Sequence, residues 1–486
     1  RPVGGGLLRA SIPFLPQTLD PGSNTSAGST IISMGLGETL LASTPRGVAQ
    51  PWLAESVEPI DQTRWRIRLR EGITFHNGKP LDGPAVQRSL ARTLEKNTTA
   101  ANLLNAAKIE AQDARTVILE TKGPNGGVRE ILTVFYLVIH DAEEAAKVGD
   151  AAFAQRPVYT GPFAGTDFRP GDFVGVRRHE AYWQGAAAIE RAEFRNVSDG
   201  NARLASVLAG DVELARTLPP QGLAQLRAAN LPVVTAASAG MYHVFTNNRR
   251  FPFDDKAVRR ALGLAIDRKT LIERVLLGGE HARGIYPANL PFAGAEPLPF
   301  DLARARQLLD GAGWAAGGDG VRAKDGKKLE FELLTYPQRP ELGLMATAIQ
   351  AMLKDAGMAV AIRSVEDITK PVNAGDYTAT MYSIQTAPTG DPSYILNLIY
   401  KSTAAQNVQL GYQSAALDAV IDRLNAETDS ARRAALAREA QAILIEDAPA
   451  TYLMQPLIHI GHTAKLSGVE AHPVEQYLLD HRWKLG

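Results

Sequence analysis

The segment from Tyr242 to Gly279 constrains the fold more than any other stretch of this 486-residue chain. Val244 and Phe245 belong to an apolar strand, and Pro252 breaks it because proline removes a backbone donor and fixes φ. Asp254 or Asp255 then caps a helix, accepting from its free N–H groups and facing its positive dipole end. Val258, Leu262, Ala265 and Ile266, followed by Leu271, Ile272 and Val275, repeat at helical spacing, and Gly278-Gly279 ends the run. A strand, a tight turn and a capped helix in this order require mixed α/β architecture around this point.

The rest of the chain agrees. Trp65-Arg-Ile-Arg-Leu-Arg70 alternates apolar and polar residues, as a half-buried strand does. Asp82 with Pro84 in the first turn predicts a helix carrying Val86, Leu90 and Leu94 on one face. Asp301 predicts a second capped helix over Ala303 to Leu309. The Ala-, Leu- and Arg-rich stretch from Ala416 to Ile445 predicts a long helical region broken near Thr428-Asp429, and Thr451 to His462 reads as strand. Strands and helices are interleaved throughout, which excludes an all-α or all-β chain.

Composition excludes several functions. Lys+Arg and Asp+Glu both number 52, so no basic surplus suggests nucleic acid. Cysteine is absent, which removes disulfides and thiolate metal sites. No apolar run reaches the length of a membrane span; Ile131 to Ile139 is the most apolar and is too short. The start at Arg1 suggests a processed N-terminus after export. Catalytic patterns are missing: there is no His-Glu-x-x-His run and no phosphate-binding loop, and Ala236-Ala-Ser-Ala-Gly240 lacks the first glycine of a nucleophile elbow. Among the nine histidines, His459 and His462 form the only close pair, and strand geometry turns them to opposite faces. His76 and His243 read as structural. No cofactor, no protein-held metal and no enzymatic activity are expected.

Five blocks in order carry a resemblance. Besides Tyr242 to Arg268 they are Pro51-Trp-Leu-Ala-Glu-Ser56 with Trp65 to Pro80; Tyr159-Thr-Gly-Pro-Phe163 with Pro170-Gly171 and Tyr182-Trp183; Ala202 to Glu213; and Phe300 to Trp314. Together they resemble the extracellular solute-binding proteins of family 5, the peptide- and nickel-binding components of ABC importers. The resemblance implies an α/β, two-lobed periplasmic binding protein fold (type II, cluster C) with an extra subdomain in the N-terminal lobe. Lobe I would comprise 1–34, 160–245 and 456–486, its extra subdomain 35–159, and lobe II 246–455. The chain would cross between lobes near Thr246-Asn247 and again near Met454-Pro456, and hinge closure would trap the ligand.

The same resemblance implies a periplasmic monomer. Its partners would be a small-molecule ligand and an ABC permease of the inner membrane, with no nucleic acid bound and no membrane span. The ligand could be a peptide, an opine or other amino-acid conjugate, or a metal chelate. A secreted hydrolase, or a peptide-sensing or chaperone receptor on the same fold, is the alternative. The ligand residues expected are Asn24, Thr25 and Ser29; Tyr242, Phe245 and Asn247; Tyr382, Gln385, Thr386 and Tyr394; and Tyr412. Peptide binders of the family place an Asp four residues before the proline of the distal loop, where it holds the ligand's α-amino group. Counting back from Pro392, that position here is Pro388, and Asp391 is expected to cap the next helix. Ala387-Pro388 and Asp391-Pro392 resemble the nickel binders. Their chelate-gripping Arg, however, has no counterpart in Ile131 to Ile139, and their loop Trp is replaced near Gln385 and Thr386.

Overall fold

The structure, a computed structural model, describes residues 6–23 and 27–486. The chain divides into two compact units, 1–236 with 458–486 and 237–457.

The first unit is organised on a sheet of seven strands among the described residues. Leu7–Ile12 lies near its centre, parallel to Arg191–Asn196 on one side and to Leu214–Arg216 on the other. Leu8 and Ala10 reach the core of this sheet together with Phe163, Val174 and Phe194. A separate four-stranded antiparallel sheet is built from Ala54–Pro59, Arg64–Leu69, Thr116–Thr121 and Ala106–Ala111. Its strand Arg64–Leu69 buries Trp65, Ile67 and Leu69 and exposes Arg64, Arg66 and Arg68, as period-two alternation requires. The helix Gly83–Lys96 is capped by Asp82, whose carboxylate accepts from the Ala85 N–H at 2.9 Å. Its Val86 and Leu90 join Trp65 and Leu119 in a core of their own.

The second unit carries a six-stranded sheet among the described residues. Gly240–Thr246 runs antiparallel to both Ala379–Gln385 and Ala450–Gln455, and Glu330–Thr335 continues the sheet in parallel. Asp255 is the residue that caps, accepting from the Ala257 N–H at 2.8 Å, and the helix Lys256–Ala265 begins there. This helix stops sooner than the apolar spacing predicts. Ile266 turns to extended backbone, and Asp267 caps a fresh turn by accepting from the Thr270 N–H at 3.2 Å and hydroxyl at 2.7 Å. The adjacent Arg268 is buried and donates to the carbonyls of Tyr452 and Gly263, which fixes the break. The long helical region does break where expected: Ala415–Ala426 ends, and Asp429 caps Ser430–Asp447.

The unit boundaries differ from the sequence reading. The strand Gly240–Thr246, placed in the first lobe by sequence, pairs within the second unit's sheet. The division falls at 236/237 rather than at Thr246-Asn247. Asn247 is held in a local turn instead, its side chain donating to the Gly375 carbonyl at 2.8 Å and accepting from the Arg249 N–H at 3.1 Å. On the return path the apolar stretch expected as one strand is two, Ala450–Gln455 and Leu457–His462, separated at Pro456.

Candidate functional site

The second unit's central strand pair positions the most concentrated set of candidate residues. Tyr242 pairs with Ser383, His243 with Tyr382 and Phe245 with Thr380. Phe245 stacks on Tyr382 with ring centroids 4.7 Å apart and planes 29° apart. Phe245 is buried and Tyr382 half-buried, so the pair forms an aromatic step at the edge of the core. Burial raises the Tyr382 hydroxyl above its ordinary range, so it remains a neutral donor.

The other expected ligand residues divide by what holds them. Tyr242 is buried and donates to Glu341 Oε1 at 2.5 Å; burial and that carboxylate together raise its pKa far above normal. Tyr412 is likewise buried and donates to Asp447 Oδ2 at 2.6 Å. Gln385 ends its strand exposed, whereas the Thr386 hydroxyl is buried with no hydrogen-bond partner among the described residues. Tyr394 is half-buried in the short helix Ser393–Ile395. Ser29 lies in the first unit, half-buried in the helix Ala27–Ser33. Asn24 and Thr25 lie outside the described residues. The structure thus brings Phe245 and Tyr382 into contact and commits the Tyr242, Asn247 and Tyr412 polar groups to protein partners.

The loop after Gln385 has a cause not read from sequence. Gly390, at φ +81°, closes a turn by donating to the Ala387 carbonyl at 3.0 Å, a conformation that favours glycine. Asp391 comes next, nearly fully buried. It accepts from the Ser393 N–H at 3.0 Å and hydroxyl at 2.8 Å in a local turn, but it is not the helix cap expected from sequence: Pro392 holds the N-cap position of Ser393–Ile395, with no side-chain cap bond. Its strongest partner is Arg433, whose Nη2 donates at 2.5 Å; both side chains are at most 5% exposed. Arg433 also donates to the carbonyls of Leu424 and Glu427, so it ties this loop to the break between the two long helices. Sequence did hold a signal. Arg433 shares a helix face with the buried Ala437, Ala440, Gln441 and Leu444, and an arginine on an apolar stripe needs a buried partner.

The histidines are structural in their surroundings. His243 is buried against Phe245 and Tyr452, with neither ring nitrogen partnered among the described residues, and burial pushes its pKa down to about 3. His459 bonds Thr235 at 2.9 Å and His462 faces the Thr463 carbonyl. No cluster of three or more potential metal ligands exists among the described residues.

Comparison with known proteins identifies the class. Residues 48–407 match the model for bacterial extracellular solute-binding proteins, family 5. The chain belongs to that family. It is 26% identical to the nickel-binding protein NikA of Staphylococcus aureus, covering 98% of this chain and 93% of that protein. It is 28% identical to the glutathione-binding protein GsiB of Salmonella paratyphi A, over 86% of this chain and 83% of that one. Among solved structures, a nickel ABC transporter protein from Bacillus halodurans superposes with a TM-score of 0.86 at 30% identity, covering 99% of this chain and all of the other. The family is one of transport binding proteins rather than enzymes.

Proposed function

We propose that this protein is the periplasmic substrate-binding component of an ABC importer, a monomer that captures one small ligand and delivers it to a membrane permease. Membership of the family over 48–407 carries the reading. The half-buried Tyr382 ring, backed by the core residue Phe245, supports a ligand with an apolar face, since aromatic surfaces with few polar anchors suit such ligands. The distal loop supports a ligand without a free α-ammonium. Pro388 stands where peptide binders of the family carry an acid, and Asp391 is occupied by Arg433. An ammonium desolvated without a carboxylate is penalised by several kcal/mol.

The ligand is therefore a metal chelate, whose amines the metal takes up, or an N-substituted amino-acid conjugate such as an opine, in preference to a simple peptide, in keeping with the nickel-binding relative. Isothermal calorimetry against nickel–histidine, an opine, bare nickel and a set of free-amine di- and tripeptides that includes glutathione tests this. Saturable one-to-one binding of a chelate or conjugate is expected, with no comparable binding of bare nickel or free-amine peptides. Preferential binding of unmodified peptides would overturn the ligand assignment while leaving the transport role intact.

A further inference from the structure

A cavity of about 590 Å³ lies wholly within the first unit, well inside the range of small-molecule sites. We propose that it is a second ligand site, one that takes a neutral saccharide.

One wall is aromatic and rigid. Trp52 and Tyr477 have ring centroids 6.1 Å apart, and the His472 ring lies 4.5 Å from that of Tyr477. The Tyr477 hydroxyl accepts from the Ser43 N–H at 2.8 Å and His472 Nε2 bonds the Ser43 carbonyl at 3.0 Å, so the C-terminal segment and the hairpin 41–51 hold this wall together. Trp52 and Tyr477 are only partly buried and keep ring surface open to the cavity. Across from them Tyr182 packs edge-on against His481 at 5.4 Å, its hydroxyl fixed on the buried Glu38 at 2.7 Å. Rings locked before a ligand arrives lose little freedom on binding it.

The charges of the cavity are already satisfied. Asp480 takes Arg482 through two bonds of 2.9 and 2.6 Å and meets His481 at 3.2 Å. Glu470 is exposed at the rim, where solvent screens it. A charged ligand would find no bare counter-charge in the interior. The polar groups offered to a ligand are uncharged: the exposed amides of Gln50 and Gln184. A sugar ring matches this set. Its C–H face stacks on an aromatic face, while its vicinal hydroxyls pair with planar amide groups that both donate and accept.

Saturation-transfer NMR on the full chain with maltose, cellobiose, chitobiose, glucuronate and choline tests the proposal. At least one of the three neutral disaccharides should show saturable transfer concentrated on ring C–H protons. Its affinity should weaken about tenfold in Trp52→Ala, which removes one stacking face. The exposed Gln50→Ala, which cannot disturb the core, should also weaken it. The proposal fails if none of the three sugars binds, if choline or glucuronate binds in preference, or if a bound sugar is indifferent to both substitutions.

Discussion

Asp391→Ala should destabilise the second unit by about 3–5 kcal/mol, the usual consequence of leaving one member of a buried ion pair without its partner. Arg433 would keep its bonds to the Leu424 and Glu427 carbonyls but would carry an uncompensated charge where water does not reach. Urea unfolding followed by circular dichroism measures the loss. Adding Arg433→Met to Asp391→Ala should recover much of it, because an apolar pair is tolerated where a lone charge is not. The outcome bears on function as well as stability. A loss within ~0.5 kcal/mol, as at an ordinary surface position, would mean that Asp391 is not locked in the fold and is free to anchor a ligand ammonium.

Glu38→Gln should remove a pH dependence worth about 3 kcal/mol. Glu38 is fully buried, and burial raises its pKa from 4.5 to about 7 against the opposing donors Tyr182, Thr160 and Trp183. The sign is set by proton uptake. Between 4.5 and 7 the folded chain holds a proton that the unfolded chain has lost. The Glu38 contribution is therefore full below pH 4.5, declines as pH rises through that window and is flat above 7. A tenfold change in proton affinity corresponds to ~1.36 kcal/mol. Glutamine does not titrate, so the variant should gain about 3 kcal/mol relative to the parent between about pH 4.5 and about pH 8. Urea unfolding of both proteins at the two pH values gives the difference. Stability profiles that run parallel would show that the carboxylate is ionised in the fold throughout. The buried histidines, whose depressed pKa values act in the opposite sense, are common to both proteins and cancel in the comparison.

The features legible in the sequence are those decided locally. Asp82, Asp255, Asp301 and Asp429 cap helices because a carboxylate reaches an N–H two or three residues ahead, and spacing alone reveals that. The alternation from Arg64 to Leu69 fixes which side chains go inward. Features that were not legible depend on contacts between distant positions. Asp391 looked like a helix cap because it directly precedes Pro392, whereas its strongest partner, Arg433, is 42 residues away. Glu38 gave no local sign of its burial, since Tyr182 and Trp183 lie 144 and 145 residues on.

The candidate site shows the same limit. Tyr242 and Tyr412 looked like open ligand-facing phenols, but each hydroxyl is taken by a carboxylate remote in sequence, Glu341 and Asp447. Phe245 and Tyr382 were grouped with them by residue type, and their stacking depends on strand register. The first boundary between units was misplaced for a related reason. Asn247 has the composition of a hinge, but the strand before it is paired to Ala379–Gln385 and so belongs to the second unit.

This family 5 protein is expected to bind a small molecule and release it unchanged. Native mass spectrometry of the 52.3 kDa chain, isolated from its own host without refolding and then incubated with the ligand it carries, tests it most directly. A single small-molecule adduct in one-to-one stoichiometry is expected, recovered intact after denaturation however long the incubation. A chain that carries no adduct and binds no member of the chelate, conjugate and peptide panel, or one that steadily converts its ligand to product, would contradict it.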